Sequence, residues 1–288
     1  MHELRATGLR RRITVRRVVL AILATAAMVY LSALLYLISQ ETRLVFQAGL
    51  GLGTSRPAVP YAQVDLTRSD GGKLFAWTLE QDPHRPWVLF LHGNAATIGS
   101  RVNVTRYEHL YALGLNVMAP EYRGFAGLNG APSEQGVSDD ARTAYEYLRR
   151  TRQVPADRIV IYGWSLGSAI AVNLASTVPE AGLILEGAPA SLVAIGQRRY
   201  PLMPVRLVMR NPFDSIVKIQ SIHAPMLFIH SPEDTVIPIA EGRRLYDAAP
   251  SPRTFVEVRG GHVNSSDVDG AIFYGAIEKF LRERGLMK

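Results

Sequence analysis

Val18 to Ile38 is a run of 21 residues without a single charge, and it limits what this chain can become more than any other feature. Apart from two tyrosines, its only polar members are Thr25 and Ser32. As a helix the run spans roughly 31 Å at 1.5 Å per residue, the thickness of one bilayer hydrocarbon core. A helix lying on a water-soluble domain keeps a polar face, and this one has none. A secretory signal has an apolar stretch of only about 7–15 residues and a small-residue cleavage site. Leu37-Ile38-Ser39-Gln40-Glu41 offers no such site. The expectation is an uncleaved membrane anchor, with Tyr36 near its far end, where interfacial rings are favoured.

The charge supports this reading. The net charge is +7, and the first 17 residues supply five of the seven through Arg5, Arg10, Arg11, Arg12, Arg16 and Arg17 against Glu3. Positive charge stays on the cytoplasmic side, so residues 1–17 are expected to be a cytoplasmic tail and everything after about residue 40 to lie across the membrane. The remainder is nearly neutral. It shows no basic stripe interleaved with aromatic platforms, so nucleic acid is not an expected partner. With 48% apolar and 20% charged residues the chain is not disordered. It has no cysteine, which excludes disulfides, a thiol nucleophile and thiolate zinc sites.

Residues 39–60 read as a linker. Its Gly49-Leu50-Gly51-Leu52-Gly53 lacks the strand, third glycine and helix of a dinucleotide fingerprint, so it reads as a turn. Residues 61–288 are the size of one domain. Short apolar runs there alternate with helical patterns. Strands are expected at Val64–Arg68, Lys73–Leu79, Trp87–Leu91, Asn116–Ala119, Ile159–Tyr162, Leu183–Leu185, Met226–His230 and Thr254–Val258. Helices are expected at Ser100–Leu113, Ser138–Arg150, Leu166–Thr177, Ala240–Ala248 and Ala271–Glu283. The alternation predicts an α/β fold with a mostly parallel sheet of eight strands covered on both faces, the first two strands pairing antiparallel at one edge. Ligands bind such sheets beyond the carboxyl ends of the strands, so those ends are where chemistry is expected.

Four ends carry it. After Ile159–Tyr162 comes Gly163-Trp164-Ser165-Leu166-Gly167, a G-x-S-x-G between an apolar strand and an apolar helix. That context fits a nucleophile elbow, with Ser165 exposed on a turn so tight that its neighbours must be small. A serine hydroxyl needs a base. Of the seven histidines, His262 follows the last strand in Gly260-Gly261-His262, in the chain order serine, acid, histidine. The acid that orients it is read as Asp234, with Glu233 beside it and Glu186 at the preceding strand end as alternatives. The fourth end, His92-Gly93-Asn94-Ala95, offers the Asn94 N–H to pair with the Leu166 N–H as an oxyanion hole. His92 is read as holding that loop.

These motifs give residues 60–288 a resemblance to the α/β-hydrolase family. They are His92-Gly93-Asn94, Tyr122-Arg123-Gly124-Phe125 with Pro132-Ser133-Glu134, Gly163-Trp164-Ser165-Leu166-Gly167, Ser231-Pro232-Glu233-Asp234 and Gly261-His262. Leu91-His92-Gly93-Asn94, Glu121-Tyr122-Arg123-Gly124 and Phe213-Asp214-Ser215-Ile216 look like the membrane-anchored, abhydrolase-domain serine hydrolases. The chain departs from the family pattern in the apolar loop 126–130 and in Val263-Asn264-Ser265, which lacks an acidic residue. The resemblance implies Ser165 as nucleophile, Asp234 as acid and His262 as base. It implies esterase, thioesterase or lipase chemistry on a small-molecule ester or acyl substrate, with no cofactor and no metal. A non-catalytic scaffold of the same fold and a serine peptidase are the alternatives. The family inserts its cap at the place occupied by Gly187 to His223, so the cap here is expected to be small. Its Arg198, Arg199, Arg206 and Arg210 beside Tyr200–Val205 fit either lipid headgroups or a connecting helix with a solvated face.

Overall fold

The computed structural model describes residues 2–50 and 53–287, with side chains from Val15 onward. Side chains of the basic tail before that point, and residues 51 and 52 of the glycine run, lie outside the described residues. The chain separates into two compact units, 1–41 and 42–288.

The first unit is helical, within a helix α1 recorded as His2–Phe46. Its section Val15–Phe46 contains an 18-residue window with a mean hydropathy of 2.5 and is long and apolar enough to cross a membrane. Leucines, valines and isoleucines face outward all round it: Val19, Ile22, Leu23, Val29 and Leu35 are each exposed. A helix apolar on every side needs an apolar surrounding.

The second unit is built on an eight-stranded sheet in the order β1-β2-β4-β3-β5-β6-β7-β8. The strands are β1 Ala62–Thr67, β2 Lys73–Leu79, β3 Trp87–Leu91, β4 Asn116–Pro120, β5 Ile159–Trp164, β6 Gly182–Glu186, β7 Met226–His230 and β8 Arg253–Glu257. The hairpin β1–β2 is antiparallel, and β2 also meets β4 antiparallel. From β4 to β8 every pairing is parallel. Strands β3 to β7 are buried along their whole length, which is why they read as continuous apolar runs, whereas the edge strands β1 and β8 keep exposed residues.

Helices cover both faces. Along the chain follow α2 Arg101–Ala112, α3 Glu134–Glu146, α4 Leu166–Ala175, α5 Leu192–Arg199, α6 Val205–Val208, α7 Ser215–Lys218, α8 Ile239–Ala248, α9 Ser265–Val268 and α10 Gly270–Arg282. Val104, Tyr107 and Leu110 of α2 share one apolar core with Phe273, Ile277 and Phe280 of α10. Val137 and Ala141 of α3, Ile170 and Leu174 of α4, and Leu245 of α8 fill the other. Phe46, from the stretch read as a linker, is fully buried in that second core.

Helix α3 starts earlier than the expected Ser138. Ser133 caps it by accepting the Gly136 N–H at 3.1 Å, and the first turn is polar, so its apolar period begins late. The short helices α5 to α7 lie outside the expected helices, although Ser191 caps α5 by accepting the Val193 N–H.

The chain leaves β3 for β4 on one side and then returns to β5 on the other. This reversal opens a crevice above β3 and β5. Register brings the strand ends level: Leu91 pairs with Gly163, Trp164 with Glu186, and His230 with Glu257. The four sequence-marked ends therefore share one edge.

Candidate active site

Ser165 sits between β5 and α4 with φ 56° and ψ −123°, a backbone state that L-residues rarely adopt. The flanking glycines permit it. A Cβ on Gly163 would lie 2.3 Å from the Gly167 carbonyl oxygen, and a Cβ on Gly167 would lie 2.0 Å from the Leu91 oxygen. The turn is held by the Ser165 N–H donating to the Glu186 carbonyl at 2.9 Å. The Ser168 hydroxyl adds a second bond to the same oxygen, also at 2.9 Å.

The loop after β8 brings His262 to the serine. Its Nε2 lies 2.7 Å from Ser165 Oγ, and its Nδ1 lies 2.6 Å from Asp234 Oδ2. The other oxygen of Asp234 accepts the N–H groups of Val236 and Ile237 at 2.9 and 2.8 Å, which fixes the carboxylate's direction. Ser165 and Asp234 are buried, and the His262 side chain is 10% exposed, so the edge Ser165–His262 is the accessible one. The histidine loop is pinned at three points. Asn264 Oδ1 accepts the Gly261 N–H at 2.8 Å, Glu233 accepts the Gly260 N–H at 3.2 Å, and Trp164 Nε1 donates to the His262 carbonyl at 3.3 Å.

The alternative acids are engaged elsewhere. Glu233 holds the loop just described. Glu186 makes a two-pronged pair with the buried Arg106, at 2.9 and 2.5 Å, and accepts the Tyr162 hydroxyl at 2.6 Å. Arg106 in turn lies over the Trp164 ring. A second imidazole, His230, is 3.6 Å from Asp234, but its Nε2 sits 2.9 Å from the Ile237 carbonyl. Burial holds His230 below the ordinary imidazole range, so near neutral pH it braces the Asp234 turn uncharged.

The loop after β3 closes the site. A Cβ on Gly93 would lie 3.1 Å from the Ser165 Cβ, so this backbone runs directly against the serine. Leu166 is the first residue of α4, and its N–H has no acceptor within the helix. Asn94 supplies the second candidate N–H from the β3 loop. His92 holds this loop as the sequence suggests, with its Nδ1 2.8 Å from the Gly93 carbonyl, but the sequence reading missed its partners. Glu121, fully buried at the end of β4, faces His92 Nε2 at 2.9 Å and accepts the Ile98 N–H at 3.1 Å. From the other side the Asn94 side chain donates to the Val45 carbonyl, and the Ala95 N–H donates to the Phe46 carbonyl, both at 3.1 Å. A lone glutamate after an apolar strand signals Glu121 in retrospect. A main-chain carbonyl such as that of Val45 leaves no signal in the sequence.

His109 and His84 are engaged elsewhere. His109 stacks on Tyr274, and the N–H of His84 donates to Asp82. Among the described residues no three histidine, aspartate or glutamate side chains gather to hold a metal ion.

Comparison with known proteins bears on the fold and the family. Residues 82–219 match the family model described as Hydrolase_4, serine aminopeptidase S33. A protein of Mycobacterium tuberculosis is 36% identical over 93% of this chain and 96% of its own length. The α/β hydrolase domain-containing protein WAV2 of Arabidopsis thaliana is 30% identical over 88% of this chain and 95% of its own. The lysophosphatidylserine lipase ABHD12 of Danio rerio is 32% identical over 57% of this chain and 47% of its own. The Pyrococcus furiosus esterase Pf2001 superposes with a TM-score of 0.64 at 19% identity, covering 80% of this chain and 96% of that one, which speaks for the fold. Strand order, reversal point and sequence kinship lead to one conclusion: the chain belongs to the α/β-hydrolase family.

Proposed function

We propose that this protein is a serine hydrolase that cleaves carboxylic ester or thioester bonds of acyl substrates through an acyl-enzyme. The observation that carries the reading is the unbroken chain from Ser165 Oγ to His262 Nε2 at 2.7 Å and from His262 Nδ1 to Asp234 at 2.6 Å. Ser165 Oγ attacks the acyl carbonyl carbon while its proton passes to His262 Nε2. Asp234 keeps the ring in the tautomer that accepts this proton and offsets the imidazolium charge. The oxyanion that forms takes hydrogen bonds from the N–H groups of Asn94 and Leu166. The leaving alcohol or thiol departs with the proton from His262. Water, deprotonated by the same imidazole, then attacks the acyl carbon and frees Ser165.

The kinship to ABHD12, whose name gives a lysophosphatidylserine lipase, and the apolar helix both favour a lipid-derived acyl substrate. We place residues 1–17 in the cytoplasm and the hydrolase domain across the membrane, on the arginine count of the tail. The family description as a serine aminopeptidase gives a second reading, cleavage of amide bonds by the same residues. A panel of esters, thioesters and aminoacyl amides over a range of chain lengths, run on the full chain and on Ser165→Ala, tests both. The proposal expects ester or thioester turnover that disappears in the variant. Turnover of amides alone would replace it with the peptidase reading, and a folded protein inert toward all three classes would leave a non-catalytic scaffold.

A further inference from the structure

The segment between β6 and α7 is unlike the rest of the domain surface. From Gly187 to Phe213 it contains four arginines and no aspartate or glutamate. Arg198, Arg199, Arg206 and Arg210 are all exposed, and so are Pro201, Leu202 and Leu207. Leu202 is 83% exposed and Leu207 is 85% exposed. Helix α5 buries none of its residues although it carries Leu192, Val193 and Ile195. Large apolar side chains this exposed, rimmed by cations, mark a surface made for a partner.

The segment is nevertheless a built feature. Its two feet are joined by Ser191 Oγ donating to Asp214 at 2.6 Å and by the Leu192 N–H donating to the Pro212 carbonyl at 3.0 Å. Glu134 anchors the far foot, accepting the Phe213 N–H and the Lys218 ammonium, both at 2.7 Å. So the span 198–210 projects from a fixed base.

Two observations name the partner. The first is charge: an all-cationic span complements an anionic surface, and apolar residues set among arginines suit the headgroup boundary of a bilayer. The second is position. Phe213, buried at the far foot, packs edge-on against Phe46 with ring centroids 6.1 Å apart. Phe46 follows the end of the uncharged run by only eight residues, a stretch that reaches at most about 28 Å even when fully extended. A run 18–38 seated in a bilayer therefore tethers this foot to lipid by that length of chain and no more.

We propose that residues 198–210 dock on an anionic bilayer surface, with Leu202 and Leu207 entering the interface and Arg198, Arg199 and Arg206 pairing with headgroup phosphates. The proposal rests on the reading of 18–38 as an anchor and is independent of the chemistry at Ser165.

The chain has no cysteine, so one cysteine places one probe. Full-length Leu202→Cys, Leu207→Cys and, as a reference on α8, Asp247→Cys would each carry an environment-sensitive fluorophore. Each is reconstituted into vesicles of phosphatidylcholine alone or with phosphatidylserine, both containing nitroxide-bearing lipid. Flotation with the vesicles reads the anchor separately, and hydrolysis is not part of the readout. The proposal expects probes at 202 and 207 to be quenched about threefold more than the probe at 247 in the anionic vesicles. Replacing Arg198, Arg199 and Arg206 together by Gln should lower that excess about twofold, as should high salt. Floated protein whose 202 and 207 probes are quenched no more than the 247 probe overturns the proposal. So does quenching that is equal with and without anionic lipid and indifferent to the arginines. Protein that does not float removes the anchor, and the proposal with it.

Discussion

The side-chain amide of Asn94 donates to the main-chain carbonyl of Val45 at 3.1 Å, tying the loop beside the serine to the last turn of α1. In the proposed mechanism the Asn94 N–H holds the oxyanion while its side chain holds the loop. Asn94→Ala separates the two, because it keeps the N–H and removes the tether. One lost hydrogen bond of about 1 kcal/mol corresponds to roughly a fivefold loss of kcat, with KM little changed. Steady-state kinetics on the full chain check this. A raised KM at unchanged kcat would place Asn94 in substrate binding instead.

The sequence offered three carboxylates for one role, and two substitutions tell them apart. Asp234→Asn is expected to lower kcat by about 10⁴-fold while leaving the melting temperature near that of the parent, because the ring loses its orienting partner. Glu186→Gln is expected to act on stability. It leaves the buried Arg106 without its counter-charge, a change that costs about 3–5 kcal/mol. Thermal melts and kinetics on both variants decide. A stable but inactive Glu186→Gln would make Glu186 the orienting acid.

Much of this arrangement was legible because it is local. Continuous apolar runs gave β3, β5 and β7, and small residues gave the turn around Ser165, since both follow from steric limits on neighbouring residues. His262 was legible from its place after the last strand. The supporting contacts were not. Arg106 and Glu186 are 80 residues apart, and their pairing depends on where α2 lies over the sheet. Residues 39–60 read as a linker because their composition is that of one. Phe46 enters the core there, and Val45 contributes only a carbonyl, which every residue has.

Glu180, away from the site, carries a pH signature. Burial pushes its carboxyl up to about 8, and one of its oxygens is buried without a hydrogen-bond partner. The folded chain thus holds this proton over the range from the unfolded carboxyl value to about pH 8, where the unfolded chain releases it. Stability falls as pH rises through that range. Glu180→Gln removes the dependence. The variant should melt on the order of 10 °C above the parent near pH 8.5 and together with it near pH 4. Differential scanning calorimetry at the two pH values checks this, and an equal offset at both would rule out the titration.

The proposed orientation across the membrane rests on arginines at one end, so it is read at the other. A reporter enzyme that functions only outside the cytoplasm, fused after Lys288, should be active. Replacing Arg10, Arg11, Arg12, Arg16 and Arg17 by Gln should reduce that activity, since the bias that fixes the orientation is gone. A reporter active only in its cytoplasmic form would reverse the assignment.

The central claim is that Ser165 is a nucleophile activated by His262. A fluorophosphonate reacts irreversibly with such a serine, and intact-mass analysis counts the adducts. The account predicts one adduct per chain on the parent protein, none on folded Ser165→Ala, and labelling slowed by about 10³-fold or more in His262→Gln. A folded parent that takes up no probe, or an adduct that survives in Ser165→Ala, would contradict it.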